Sequence, residues 1–500
     1  MTPRRPYRTL LLFALAVMAL YIAVPTRSYY WDGVGFALVV EHPEQWNNAL
    51  IETDHLIYLP FGRAAYVFAH ELGLEMRSLE TLQAVNSIAA ACCIFAVGGM
   101  VLDWTGSLFI ALLASGLLAF SATWWKFATD SDAYILPTLF LVLAFRFILP
   151  WQPLRPMSVA ALHAAAMLFH ELAVLFFPVA VFGVWMQAQG RVKRWLAVLT
   201  YAGAAFVMTI APYMFTASRA GELTVARFPS WLAYHTPDSH FSFGAANAAR
   251  VAESHVKLLL GGRWTMARRF QGWPTGAALA LLAVFTVLIA RRPALTTDDA
   301  APNWRDTRSV LLLSVVWIAP FFLFLCFWLP QNAFYRLLYE PALILLVTAT
   351  ALQRNWLFAP EPRKAIAIGV AAVAVWNFCL FIYPSSQTEA NPVLVAANQL
   401  HGRLRQDAMV YHATLPADDW LILYQNPQTR WMELSRFDPE KLEHDVAEAA
   451  GQGRDVWLDG SALEMVNRQP GGPEWLERHT QQKYELKRSG HDVEFAQVRP

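Results

Sequence analysis

An aromatic run ending in an acid, Tyr29-Tyr30-Trp31-Asp32-Gly33, stands about three residues after the first long apolar stretch of this 500-residue chain. A carboxylate there sits at a membrane surface, with the rings holding the segment at headgroup depth. The same Asp would also serve as a cap where a loop meets a helix. Gly33 and Gly35 let the backbone turn sharply or approach a ligand closely. In Glu52-Thr53-Asp54-His55-Leu56-Ile57-Tyr58-Leu59-Pro60, Asp54 suits either chemistry or the N-cap of the following helix. As imidazolium, His55 can hold a phosphate. Lys126 precedes Asp130-Ser131-Asp132-Ala133-Tyr134, where two carboxylates two apart could share a cation or an acceptor hydroxyl. Helix capping accounts equally well for one of them.

His170-Glu171 interrupts about 32 apolar residues. An uncompensated charge at mid-membrane costs roughly 2.5–3.5 kcal/mol or more, so the pair must face a polar cavity, lie at the surface, or pair internally. A zinc-protease motif would need a second His four residues on; Val174 stands there, and Leu74 stands there after His70-Glu71. In Gln331-Asn332-Ala333-Phe334-Tyr335-Arg336, the planar fork of Arg336 beside Tyr335 suits a lipid-linked phosphate or an interfacial anchor. His235, Asp238 and His240 have the look of a metal trio, although loop histidines at such spacing are common. Arg263, Arg268 and Arg269 suit anionic headgroups. Gly33-x-Gly35 lacks the third glycine and the preceding strand of a dinucleotide fingerprint. Cys92, Cys93, Cys326 and Cys379 all lie in apolar runs and read as buried small residues, not as a disulfide or zinc framework.

The elements that must position these residues belong to a membrane protein. Apolar residues make up 56% of the chain and charged ones 15%, against roughly 25% in soluble proteins. About 30 of the charged residues follow Tyr383, and the net charge of +1 leaves no nucleic-acid footprint. With about 20 residues needed per crossing, eleven spans are expected: 8–26, 82–102, 105–122, 133–149, 157–170, 172–188, 195–217, 274–290, 309–329, 337–352 and 364–383. The first has a basic leader but no cleavage site, and reads as an uncleaved anchor. Arginine and lysine in the short loops place the N-terminus inside, and the long loops 27–81 and 218–273 outside with the tail. Trp124, Trp125, Trp151, Trp195, Trp273, Trp304, Trp328 and Trp356 fall near span ends, as interfacial rings do. After residue 384 the grammar changes. Helical stretches at 393–405 and 438–450 alternate with runs at Trp420-Leu421-Ile422-Leu423-Tyr424 and Asp455-Val456-Trp457-Leu458 that read as strands. The expected architecture is an all-α transmembrane domain over 1–383 and a small α/β domain, with partly parallel strands, over 384–500.

In this order the features resemble the GT-C superfamily of membrane glycosyltransferases, nearest the branch of protein O-mannosyltransferases and the lipid A aminoarabinose transferase. Asp32 follows the first span in a long outer loop. Asp54-His55-Leu56-Ile57-Tyr58-Leu59-Pro60 is similar to the family's His-Pro-Pro-Leu-Tyr segment, with Leu56 where the first Pro would stand. Asp132-x-Tyr134 precedes the fourth span, His170-Glu171 lies near mid-chain, and Arg336 follows the ninth span. The paired first-loop acid of many members is missing, since Gly33 follows Asp32. The resemblance covers residues 8–380 and implies inverting transfer of a sugar from a polyprenyl-phosphate donor to a hydroxyl acceptor on the outer face. It implies Asp32 as the general base or the acceptor's orienting partner. Arg336 and His55 would meet the lipid phosphate, with Arg263, Arg268 or Arg269 in reserve, while Tyr335, Tyr134 and His170 line the substrate site. Asp54, Asp132 and Glu171 would shape the sugar and acceptor pocket. No cofactor is expected and a metal is not favoured. The other partners are membrane lipids, and the setting is a bacterial inner membrane. A transporter or flippase is the rival reading, though no inverted repeat is visible. A third is an assembly protein whose tail binds a partner.

Overall fold

A computed structural model describes residues 4–46, 50–233, 241–242, 244–262, 304–405, 407–414, 420–488 and 491–500. The chain divides into two compact units, Met1–Thr26 with Val39–Pro384, and Arg27–Leu38 with Ser385–Pro500. The segment carrying Asp32 therefore packs with the tail.

The first unit is helical. Five of its helices are long and apolar enough to cross a membrane: Arg5–Ala23, Ser78–Thr105, Arg191–Ala220, Asp306–Leu325 and Pro360–Ser385. Leu108–Phe120 and Ala122–Ala128 make one more if their 69° bend is a broken span, and four shorter apolar helices fall on other expected spans. The chain is a multi-pass membrane protein. The expected span 274–290 lies outside the described residues, as do His235, Asp238, His240, Arg263, Arg268 and Arg269.

We number the helices α1 (Arg4–Ala23), α2 (Trp31–Glu41), α3 (Tyr58–Glu71), α4 (Ser78–Thr105), α5 (Leu108–Phe120), α6 (Ala122–Ala128), α7 (Ile135–Phe147), α8 (Pro156–Phe169), α9 (Phe177–Gln187) and α10 (Arg191–Ala220). α4 runs through the middle of the bundle, with most of its residues buried. It meets α5 at Gly98, where an added Cβ would collide with Ser115 Oγ. α5 ends at Ser121, whose extended backbone turns the chain into α6. That turn corrects the reading of Trp124 and Trp125 as interfacial anchors. Both are fully buried, and Trp125 packs against Tyr21, Phe120 and Phe378 because the bend carries α6 inward. Trp195 and Trp356 are exposed, as interfacial rings would be. Cys92 is also exposed, contrary to expectation: α4 turns that face outward and buries Cys93 instead.

The break at His170 is real. α8 stops at Phe169, His170 adopts an extended backbone, and a 3₁₀ turn over Glu171–Phe176 leads into α9. His163 on α8 pins that turn: its Nε2–H donates to the Ala173 carbonyl at 2.9 Å, and its Nδ1 accepts from Tyr201 Oη on α10 at 2.7 Å.

In the second unit, α11 (Pro392–His401), α12 (Trp420–Gln425), α13 (Pro439–Gly451), α14 (Gly460–Asn467) and α15 (Gly472–His479) pack on a five-stranded sheet. The strands are β1 (Met409–His412), β2 (Arg430–Glu433), β3 (Val456–Asp459), β4 (Thr480–Arg488) and β5 (His491–Val498), in the order β2-β1-β3-β5-β4. β1 pairs in parallel with β2 and β3, whereas β5 runs antiparallel to both its neighbours. The partly parallel α/β reading holds, but the run Trp420–Tyr424 is a helix, not a strand. Four successive residues of it, Leu421 to Tyr424, are buried. A continuous apolar run of that length fits a buried helix as well as a strand, and periodicity alone does not separate them.

Candidate functional site

The chain bearing the acids at 130 and 132 is irregular and buried, so its backbone polar groups need partners. Side chains supply them one by one. Ser87 Oγ donates to the Ala128 carbonyl at 2.9 Å. Gln83 Nε2 donates to Thr129 and Thr26, each at 2.8 Å. Asn86 Nδ2 donates to Asp130 at 2.8 Å and Asp132 at 2.7 Å, and Tyr58 Oη to Ser131 at 2.6 Å. Every carbonyl from 128 to 132 is thereby held. Gln83, Asn86 and Ser87 stand at i, i+3 and i+4 on α4 and form one face. The sequence reading passed over this polar triplet, although it is legible inside an otherwise apolar span.

Within that loop the two acids differ. Asp130 takes Lys126 Nζ as an i,i+4 partner and the Ser131 N–H at 2.9 Å. Asp132 accepts the Ala133 N–H at 2.7 Å through Oδ1, while Oδ2 is buried with no partner. Burial, and then the neighbouring Asp130 charge, push the Asp132 carboxyl up to about 8. At neutral pH it is largely a neutral acid with a hydroxyl to donate. The expectation that one of these acids caps α7 is corrected, since Tyr134 occupies the N-cap and makes no side-chain cap.

Tyr134 faces His170, with ring centroids 5.1 Å apart; His55 lies 4.6 Å and Tyr335 6.2 Å from the same imidazole. His170 is the hub of this cluster and is almost fully buried. Its Nδ1 accepts the Leu172 N–H at 3.3 Å, which puts the ring hydrogen of the neutral tautomer on Nε2. Nε2 is buried without a partner. In His55, Nδ1 lies 3.0 Å from the Phe169 carbonyl and so carries a hydrogen, and Nε2 faces Asp54 Oδ2 at 3.6 Å.

Asp54 is not an N-cap; Ile57 holds that position on α3. Its carbonyl instead accepts the Glu171 N–H at 3.0 Å, joining the first loop to the break after α8. Burial, and then the Asp54 charge, raise both Glu52 and Glu171 to about 7. Tyr213 on α10, which the sequence reading did not single out, donates to the Thr53 carbonyl at 2.8 Å and fixes the same loop.

Arg336 lies in a 3₁₀ turn over Phe334–Leu338 and is 1% exposed. Its Nη1 donates to the Asn332 carbonyl and its Nη2 to the Pro330 carbonyl at 3.0 Å, while Nε is buried and unpartnered. Among the described residues no carboxylate pairs with it. A buried cation held only by carbonyls keeps its charge for an anion. Near it, His255 accepts from Tyr339 Oη at 3.0 Å and lines an apolar cavity of about 510 Å³ with Val251, Phe322, Cys326 and Phe327. Among the described residues, no three His, Cys, Asp or Glu side chains are grouped to hold a metal ion.

The structure thus gathers His55, Tyr134, His170 and Tyr335 around one imidazole, with Asp54, Asp132, Glu171 and Arg336 on the adjoining loops of the same unit. Asp32 lies in the second unit, in the first turn of α2, where a carboxylate complements the helix dipole. Of the two roles open to Gly35, a sharp turn or the close approach of a ligand, it does not make the turn. It is inside the helix, and the group it lets approach is the ring of Trp420.

A bundle of this kind carrying a small mixed sheet has the fold of the GT-C membrane glycosyltransferases. In particular, it is similar to the crystal structure of ArnT from Cupriavidus metallidurans bound to undecaprenyl phosphate. The TM-score is 0.59 and the identity 13%, over 98% of this chain and 97% of that one. The apo state of the same ArnT matches with the same figures. At that identity the likeness establishes the fold and no more. No protein-family model matches the sequence, and no curated protein matches it.

Proposed function

We propose that the chain is an inverting glycosyltransferase that moves a sugar from a polyprenyl-phosphate carrier to a hydroxyl acceptor on the outer face of a bacterial inner membrane. The observation that carries the reading is Arg336, a buried guanidinium with carbonyl partners and, among the described residues, no carboxylate, in a GT-C fold. Such a charge stabilises a leaving phosphate better than an exposed one, because the medium around it screens less. His170 Nε2–H is a second donor of the right kind. The apolar cavity beside His255 offers a place for a prenyl chain. That ArnT was crystallised with undecaprenyl phosphate supports the same class of carrier.

In the reaction the acceptor oxygen attacks the anomeric carbon as the bond from that carbon to the phosphate oxygen breaks. The hydroxyl proton passes to Asp32, and the lipid phosphate leaves with its electron pair toward Arg336 and His170. Asp132, as a neutral acid, and the Glu52, Asp54 and Glu171 carboxyls would bind hydroxyls of the sugar or acceptor. His55, Tyr134 and Tyr335, packed round His170, would line the substrate site. The proposed step uses no metal ion. Transfer that survives a chelator is expected, and loss restored by a divalent cation would remove that part.

The test is release of lipid phosphate from a panel of radiolabelled polyprenyl-phosphate sugars by purified protein, beside Asp32→Asn and Arg336→Met. Release by wild type with a named sugar, lost in Asp32→Asn and reduced in Arg336→Met, is the expected result. Equal release by folded Asp32→Asn would remove Asp32 as the base.

A further inference from the structure

We propose that the C-terminal domain carries the positioning residues for Asp32, with Trp420 seating the start of α2 and Asn391 tethering the chain that leads into it. The proposal rests on Asp32 being the base.

α2 is a poor helix on its own. It has eleven residues, two of them glycines in its first half, and isolated helices of that length are marginal in water. Something outside it must hold its first turn, where Asp32 lies. Trp31 and Gly35 stand at i and i+4 and so share one face. The Trp420 ring occupies that face: it meets Trp31 edge-on at 5.8 Å, and its Cζ3 fills the place a Cβ on Gly35 would need. Glycine is therefore required at 35 by the approach of this ring. Trp420 itself opens α12, whose Leu421, Ile422, Leu423 and Tyr424 are buried in the tail. The seat is built into the domain.

The second hold is a single amide. Asn391 Oδ1 caps α11 by accepting the Val393 and Leu394 N–H groups, each at 3.2 Å. Its Nδ2 donates to the Arg27 carbonyl at 2.8 Å. The Ser385 carbonyl accepts from Arg27 N at 2.7 Å and Ser28 N at 3.1 Å. Four residues separate this tether from Asp32, so both ends of the acid-bearing turn are fixed by residues that follow 384. Asp32 cannot keep a set position if that domain shifts or is lost.

The experiment is hydrogen exchange on the peptide covering 27–38 in the full-length protein, with kcat and donor KM measured on the same samples. Asn391→Asp keeps the cap acceptor and removes the tethering donor. Trp420→Ala empties the seat, and Trp420→Phe keeps an aromatic edge in it. Expected is a rise in exchange of tenfold or more in Asn391→Asp and Trp420→Ala, a comparable fall in kcat, donor KM within about twofold, and recovery in Trp420→Phe. Gly35→Ala separates seat from propensity. Alanine is the better helix former, so propensity alone would slow exchange, whereas a blocked seat speeds it. Unchanged exchange in Asn391→Asp and Trp420→Ala, or faster exchange with unchanged kcat, overturns the proposal. A fully active Asp32→Asn removes the base, and with it the positioning role; the exchange data still decide whether the seat exists.

Discussion

Replacing Asp132 by Asn tests the electrostatics of the buried loop directly. Asp132 is 1% exposed and its carboxyl lies at about 8, against about 3.9 in an unfolded chain. Between those values the folded protein binds a proton that the unfolded one does not, so stability falls as pH rises and levels off above 8. Each unit is worth about 1.4 kcal/mol, which sets a ceiling of about 4 kcal/mol between pH 5 and pH 8. Asn has the shape of the neutral acid, can still accept the Ala133 N–H through its carbonyl, and does not titrate. The variant should therefore match wild type below about pH 4 and exceed it increasingly toward pH 8, by several degrees in thermal unfolding in detergent. Transfer should survive in Asp132→Asn, whose amide replaces the acid's O–H donor, and fall further in Asp132→Ala. Stability curves for wild type and Asp132→Asn that run parallel from pH 5 to 9 would refute a raised carboxyl at this position.

The other expectations are narrower. Arg336→Met should leave the fold assembled but reduce kcat/KM for the lipid donor about 10- to 100-fold, the value of a charge-assisted hydrogen bond of about 1.5–3 kcal/mol; Arg336→Lys, which keeps charge but not the fork, should fall between the two. Asn86→Ala frees the carbonyls of Asp130 and Asp132 at once and should cost about 2–4 kcal/mol, read as a lowered unfolding temperature. Gly98→Val forces α4 off Ser115 on α5 and should destabilise by about 1–3 kcal/mol, with Gly98→Ala milder.

Much of this protein is legible along the chain because a bilayer imposes simple rules. Every crossing must be a long apolar helix, so composition and run length alone locate Ser78–Thr105, Arg191–Ala220 and their companions, and the return of charge after residue 384 marks where the main segment of the second unit, Ser385–Pro500, begins. Ionisable groups cost so much in such a setting that the residues breaking an apolar run stand out, which is how His170, Glu171 and Arg336 are found from sequence. Residue type does not carry direction or tautomer. That His170 presents Nε2–H follows from which ring nitrogen meets Leu172. That the Asp132 carboxyl is raised follows from its burial beside Asp130. Trp124 and Trp125 have the composition of interfacial anchors and become core residues because of one bend at Ser121. Trp420 and Gly35 lie 385 positions apart, and only the close approach of a ring to a helix face makes them partners. The medium, the class of elements and the inventory of reactive groups can be read from residue order, since they depend on transfer free energies that each stretch of chain carries with it. Which groups meet, which are desolvated and which hydrogen each presents emerge only on folding, because those depend on neighbours distant in the chain.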